Sequence, residues 1–240
     1  MSRETGSVQL RRAPIVTAVR PARTTKEETM RSSLLTPTSS VLVMVDYQSQ
    51  MFLGVGSHPQ QTVLNNAVAL GKAARAFDVP VVVTTVNEKG FSGPMPPSLA
   101  AVFQDAPSID RTTMNPWEDA RVVAAVAATK RKQVVFAGLW TEVCIAMPVL
   151  AAIDAGFEAF VVADACGGTS LEAHELALQR MVQAGARPIS WLVYMLELQR
   201  DWARTQTAGA VADIAVAHAG GYGIGMHYYM TLKSEGQGKG

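Results

Sequence analysis

The chain has 240 residues, 48% of them hydrophobic and 17% charged, with a formal net charge of +1. That length supports one sizeable core, and the near-neutral charge excludes the basic surplus of a nucleic-acid binder. Apolar runs are short and interrupted, so none reads as a membrane span, and the two cysteines, without a hydrophobic leader, point to a reducing, cytoplasmic setting.

Residues 1–38 are rich in Arg, Ser and Thr and show no sustained period; they read as a flexible N-terminal arm. The folded domain is expected over 39–204. It opens with VLVMVDYQ, a continuous apolar run of the kind buried on both faces of a parallel sheet, ending in Asp46. Val63, Ala67, Leu70, Ala74 and Phe77 then recur at spacings of three and four, which predicts an amphipathic helix over 62–77. After the turn Asp78–Val79–Pro80, Val81–Thr85 is a second buried strand.

The Gly/Pro-rich stretch 87–107 is long for a connection inside a compact domain, and such loops often cover a site. A short strand over 108–112 brings Arg111 to its end. Asn115–Pro116 opens a helix over 117–129, with Glu118 and Asp119 in its first turn.

The segment QVVFAGLWTEVCIAMPVL (133–150) organises the rest: a buried strand to Leu139, a turn at Trp140–Glu142, then a helix with Cys144 in its first turn. A thiol there would feel the positive helix end and unpaired N–H groups, both favouring thiolate. Gly156 caps that helix before a strand over 157–165. A helix over 171–184, stopped by Gly185, leads to a strand over 188–194 and a last core helix over 195–204. Residues 205–240, Gly-rich with Tyr222, Tyr228 and Tyr229, read as a C-terminal tail at a subunit interface. The low charge likewise favours a homo-oligomer. Repeated strand–helix alternation predicts an α/β fold, a three-layer α/β/α sandwich around a doubly wound, mainly parallel sheet of about six strands.

Three residues come to the carboxyl ends of strands, where such folds place their sites: Asp46, Arg111 and Cys144. A carboxylate beside a thiol can take its proton, and a cation can hold developing charge. Each also has a plain structural role available: Asp46 as a turn cap, Arg111 in a salt bridge, Cys144 as a small packed residue. Trp140, Phe52 and Phe91 are candidate pocket residues, with Trp117 a further aromatic. Cys166 reads as packing. His58, His174, His218 and His227 lack metal-ligand spacing, so no metal and no cofactor is expected. The glycines of GGYGIG do not follow a strand and are no phosphate loop.

VLVMVDYQ, AGLWTEVCI with its G-x-x-T-[ED]-x-C pattern, and WLVYMLELQRDW resemble the isochorismatase-like cysteine hydrolases, nearest to the YcaC-type subgroup, from about Val41 to Trp202. The resemblance implies a Cys144 nucleophile, Asp46 as general base, and Arg111 at the basic position. The amidase branch has Lys there; Arg stays protonated and can stabilise charge without shuttling a proton. The resemblance further implies a non-proline cis peptide before Thr141, expected at Trp140–Thr141, aiming the Val143 and Cys144 N–H groups at an oxyanion. The zinc cluster of the nicotinamidase-like branch is not expected, since the matching loop Val86–Phe91 has no His. A large ring-like assembly, an octamer, is implied as well. The reaction expected is hydrolysis of a small amide or related carbonyl substrate through a covalent Cys144 intermediate. Enol-ether hydrolysis, as by isochorismatase itself, would not need the cysteine. The reading from another class is a non-catalytic oligomer that binds a metabolite or senses oxidants through its thiol.

Overall fold

The computed structural model describes residues 34–237. Among them, six strands form one sheet: β1 (Ser40–Val45), β2 (Val81–Val86), β3 (Ile109–Arg111), β4 (Gln133–Gly138), β5 (Glu158–Val162) and β6 (Arg187–Ile189). All neighbours are parallel, in the order β3-β2-β1-β4-β5-β6. The sheet is doubly wound. The chain builds outward from β1 to β3, returns to the middle at β4 and builds the other way. Loops leaving β1 and β4 therefore part in opposite directions, and at such a switch point folds of this kind form their binding crevice, beyond the carboxyl ends of the strands.

Helices cover both faces: α1 (Ser49–Leu53), α2 (Gln60–Ala76), α3 (Pro97–Ala100), α4 (Ala120–Ala128), α5 (Ala146–Asp154), α6 (Leu171–Ala184), α7 (Trp191–Gln199), α8 (Thr205–His218) and α9 (Gly220–Gln237). The strand pleat sends alternate residues to opposite sides. Leu42, Met44, Val135, Ala137, Phe160 and Val162 pack on one side with Val63 and Leu70 of α2 and Tyr194 and Met195 of α7. Val41, Val43, Val45, Val134, Phe136 and Val161 pack on the other with Val122 of α4, Val149 of α5 and Met181 of α6. Every residue of β1 and β4 is buried, which is why both read as unbroken apolar runs. Each such side chain contributes roughly 1.5–3 kcal/mol by leaving water.

Several boundaries differ from the sequence expectation. The helix placed at 117–129 is a 3₁₀ turn (Pro116–Glu118) and then α4, because the Asp119 carboxylate accepts the Arg121 N–H at 2.9 Å and restarts the helix. The strand placed at 188–194 ends at Ile189. Ser190 accepts the Val193 N–H at 3.2 Å, so WLVYMLELQ is helix α7. The long loop holds α3 and a 3₁₀ turn (Ala101–Phe103), which bury Leu99 and Phe103.

The segment expected as a C-terminal tail is two helices, α8 and α9, over its described residues. α8 buries Val211, Ile214 and Ala215 against α2 and α7 of its own chain. Leu35 is also buried, donating its N–H to Glu197 Oε2 (2.8 Å) while its carbonyl accepts from Arg200 Nη2 (2.7 Å). The end of the expected arm thus belongs to the fold, and residues 1–33 of it lie outside the described residues.

Candidate active site

Asp46 is the first residue beyond β1. Its N–H completes the ladder by donating to the Thr84 carbonyl (2.9 Å), and its φ of 54° turns the chain out of the sheet. That left-handed conformation is uncommon for a residue with a side chain, though Asp tolerates it better than most. The carboxylate is sealed from solvent and faces Arg111, the last residue of β3 and only 2% exposed. Arg111 Nη2 donates to both Asp46 oxygens, at 2.8 Å (Oδ1) and 2.6 Å (Oδ2). Nε donates to Thr84 Oγ1 (3.0 Å), and Nη1 to the carbonyls of Thr113 and Met114. Every N–H of the guanidinium has an acceptor within the chain. Arg111 is committed to holding Asp46.

Across the crevice, β4 ends at Gly138. A Cβ there would lie 2.0 Å from the Val45 carbonyl oxygen, so glycine is what lets the exits of β1 and β4 approach. The turn beyond it begins one residue earlier than expected. Its cis peptide is Leu139–Trp140, not Trp140–Thr141. Residues Thr141–Ile145 then form a π-helical turn before α5, so Cys144 sits ahead of the α-helix rather than in its first turn. Such turns recur at functional sites. The Trp140 carbonyl accepts the Val143 N–H (3.0 Å) and the Ile145 N–H (3.3 Å). Of the two expected oxyanion donors, Val143 is thus engaged internally.

Cys144 is 4% exposed, and its thiol and the Asp46 carboxylate stand near enough to shift each other's protonation, with a smaller influence of the Trp140 backbone. The structure reverses the expectation of a thiolate. Burial first, then the Asp46 charge, push the thiol up to about 12, against weaker lowering by Arg111 and the Trp140 N–H. Burial also raises Asp46, and Arg111 and the Cys144 hydrogen bond pull it back, leaving it at about 6. Near neutral pH the carboxylate is ionised and the proton sits on sulfur. The pair is thus an acceptor and a donor that influence each other.

The crevice rims are tied to the segment leaving β1. Gln48 Nε2 donates to the Gly93 carbonyl (2.6 Å), while the Ser49 and Gln50 N–H groups donate to Pro94 (2.8 Å) and Ser92 (3.2 Å). On the other rim, the Gly56 and Ser57 N–H groups reach the Gly168 carbonyl at 2.9 and 3.2 Å. Trp140 is half-buried beside Cys144, and its Nε1 donates to the Met51 carbonyl (2.9 Å). A Cβ on Gly54 would fall 2.5 Å from its ring.

Phe91 is 71% exposed, and Phe52 lines a cavity of about 300 Å³ with Ser49, Gln60, Leu64 and Pro96. Trp117 packs on Phe136 and Phe157 in the core. Cys166 is fully buried in the core layer that also contains Cys144. Thr141 is fully buried, its hydroxyl 2.8 Å from His174 Nδ1. Sequence reading missed Thr84, Gln48 and His174. Two threonines within an otherwise all-valine strand were the available signal for Thr84. Among the described residues, no group of three or more His, Cys, Asp or Glu is arranged to hold a metal ion. No helix there is long and apolar enough to cross a membrane.

Comparison with known proteins identifies the family and the fold. Residues 40–192 match the isochorismatase domain model. The probable hydrolase YcaC of Escherichia coli (strain K12) is 38% identical over 197 residues, covering 82% of this chain and 94% of that protein. Its crystal structure, described as an octameric hydrolase of unknown specificity, has a TM-score of 0.79 over 83% of this chain and 98% of that one. YcaC from Pseudomonas aeruginosa, solved with hexane-2,5-diol and covalent acrylamide, is 34% identical with a TM-score of 0.78, covering 82% and 98%.

Proposed function

The chain belongs to the isochorismatase family, as a YcaC-like hydrolase, and from that premise we propose that it cleaves a small amide or related carbonyl compound through a covalent Cys144 intermediate. The observation that carries this reading is the buried Cys144 thiol electrostatically coupled to an Asp46 carboxylate that Arg111 holds in place. A resting thiolate is not needed. As sulfur closes on the carbonyl carbon, its proton passes to Asp46, so charge on sulfur never builds up unpaired. Asp46 returns that proton to the leaving amine, and the acyl group stays on sulfur. Water, losing its proton to Asp46, then attacks the thioester, and sulfur leaves to be reprotonated.

The oxyanion is assigned to the Cys144 N–H, which Val143 can join by releasing the Trp140 carbonyl. The covalent acrylamide in the Pseudomonas relative supports a nucleophile in this kind of fold. A thiol that senses oxidants needs exposure and thiolate character, and Cys144 has neither, which favours the hydrolase over the sensor. The test is turnover of a panel of small amides by the wild type and Cys144→Ala, with acyl-enzyme trapped by mass spectrometry. Turnover surviving in Cys144→Ala would remove the assignment.

The same premise supports a homo-oligomer, as the E. coli relative is octameric. The outer side of α9 carries Ile224 (73% exposed), Tyr228 (66%) and Leu232 (50%) at a spacing of four, a stripe suited to a neighbouring subunit. Ile224→Glu with Leu232→Glu should shrink the assembly on size exclusion. An unchanged assembly would take α9 out of the interface.

A further inference from the structure

A histidine outside the reacting trio ties the nucleophile's turn to the next helix. His174, in the first turn of α6, is 4% exposed, and its Nδ1 lies 2.8 Å from Thr141 Oγ1. Thr141 opens the π-helical turn that holds Cys144, and its own N–H donates to the Gly167 carbonyl at 3.0 Å. Backbone and side chain of one residue are thus both anchored to the segment after β5.

The neighbouring residue is anchored to the same segment. Glu142 Oε1 accepts the Thr169 N–H (3.0 Å) and the Thr169 hydroxyl (2.5 Å). Gly168 passes close beneath: a Cβ there would lie 2.9 Å from both Glu142 Oε2 and His174 Cβ. Behind His174, the His58 ring stands edge-on at 4.8 Å, held by Ser57 Oγ at 2.9 Å from its Nδ1, and that same hydroxyl accepts the Gly168 N–H (2.9 Å). The packing leaves the His174 ring little room to turn away from Thr141.

We propose that His174 is a positioning residue for the cysteine chemistry: through Thr141 it fixes the turn that presents the Cys144 sulfur to Asp46. This rests on the nucleophile–base reading given above. A histidine that only filled space in α6 would have no reason to spend its buried ring nitrogen on a hydroxyl in the nucleophile's turn. A neutral imidazole provides one donor and one acceptor, so the bond to Thr141 is directional. Burial, with the nearby His58 charge, holds His174 down at about 4 and keeps it in that neutral form, against a weaker opposite pull from Glu142. Small displacements of a reacting atom are costly: about 1 Å can lose on the order of a hundredfold in rate.

The test reads the thiol itself rather than turnover. The rate of acrylamide addition to Cys144 is followed by peptide mass spectrometry across pH, with Cys166 as the internal reference, in the wild type, Asp46→Asn, His174→Phe, His174→Asn and Thr141→Val. His174→Phe and Thr141→Val should each slow Cys144 by about ten- to a hundredfold, with the buried Cys166 still protected, which shows that the fold is intact. Combining the two should be no worse than either alone, because both cut the same bond. His174→Asn, which keeps a hydrogen-bonding side chain, should recover most of the rate. If His174→Phe does not fold, Thr141→Val decides, as it changes one hydroxyl for a methyl. A folded Thr141→Val or His174→Phe with wild-type Cys144 rate and pH profile overturns the proposal. An Asp46→Asn protein with the wild-type Cys144 rate and pH profile would instead defeat the nucleophile–base reading, and this proposal with it.

Discussion

Arg111 gives one terminal nitrogen to both oxygens of Asp46, at 2.8 and 2.6 Å, and neither side chain has any contact with solvent. Removing one partner of such a pair leaves a bare buried charge, which costs about 3–5 kcal/mol. Arg111→Met should therefore lower unfolding stability in urea by about that amount. Arg111→Lys keeps the charge but cannot reach Asp46, Thr84 and the Thr113 carbonyl together, and should fall between the two. A fully stable Arg111→Met protein would show that the pair is not holding the β1 and β3 exits together.

Asp46 works as a base only when ionised, and burial holds its carboxyl at about 6. The activity measured as kcat/KM should accordingly rise with pH through about 6 and flatten above it. Asp46→Asn should lose that acid limb along with most of the rate. A limb that persists in Asp46→Asn would belong to another group.

His174 titrates at about 4 in the folded chain, below its ordinary 6.5, because its charged form is desolvated. The unfolded chain binds that proton first, so this group contributes stability above pH 6.5 that is lost as pH falls through about 4. Asparagine in its place does not titrate. The stability of His174→Asn relative to the wild type should thus rise on going from pH 6.5 to 4, by on the order of 3 kcal/mol. A pH-independent difference would mean that His174 is not buried neutral.

Gly138 and Gly209 make a matched contrast. A methyl on Gly138 meets the Val45 carbonyl at 2.0 Å, and Gly138→Ala should cost on the order of 3 kcal/mol or more while disturbing Cys144 labelling. Gly209 lies in α8 with open space around it, so Gly209→Ala should raise stability by up to about 1 kcal/mol. Equal effects at the two positions, read by thermal unfolding, would refute the close-approach account.

The parts of the fold readable in the sequence are those whose cause is local. Val41–Val45 and Val134–Ala137 announce buried central strands by composition alone, and Leu171–Ala184 carries its own Ser170 start and Gly185 stop. The apolar run from Ile189 into Val193 hides a strand-to-helix change that depends on one serine cap. Glycines 220, 221, 223 and 225 argue against a helix on propensity. Yet Gly223 lies so close to the Ala215 carbonyl (2.2 Å for an added Cβ) that it is what lets α9 pack on α8. In the site, Asp46, Arg111 and Cys144 could be placed by strand ends. The direction of the Cys144 shift could not, because burial is a property of the assembled layers. His174 lies 33 residues from Thr141, and only the packing of α6 brings them together.

The short exit from β1 is gripped from both flanks, by Ser92–Pro94 on one side and by Gly168 on the other. The two loops have no need to touch each other to be coupled. Whatever swings one rim outward must drag residues 48–57 with it and so loosen the second rim. In hydrogen exchange, the amides of Ser49, Gln50, Gly56 and Ser57 should then open as one cooperative unit, and admission to the crevice becomes a property of that whole collar rather than of a single flap.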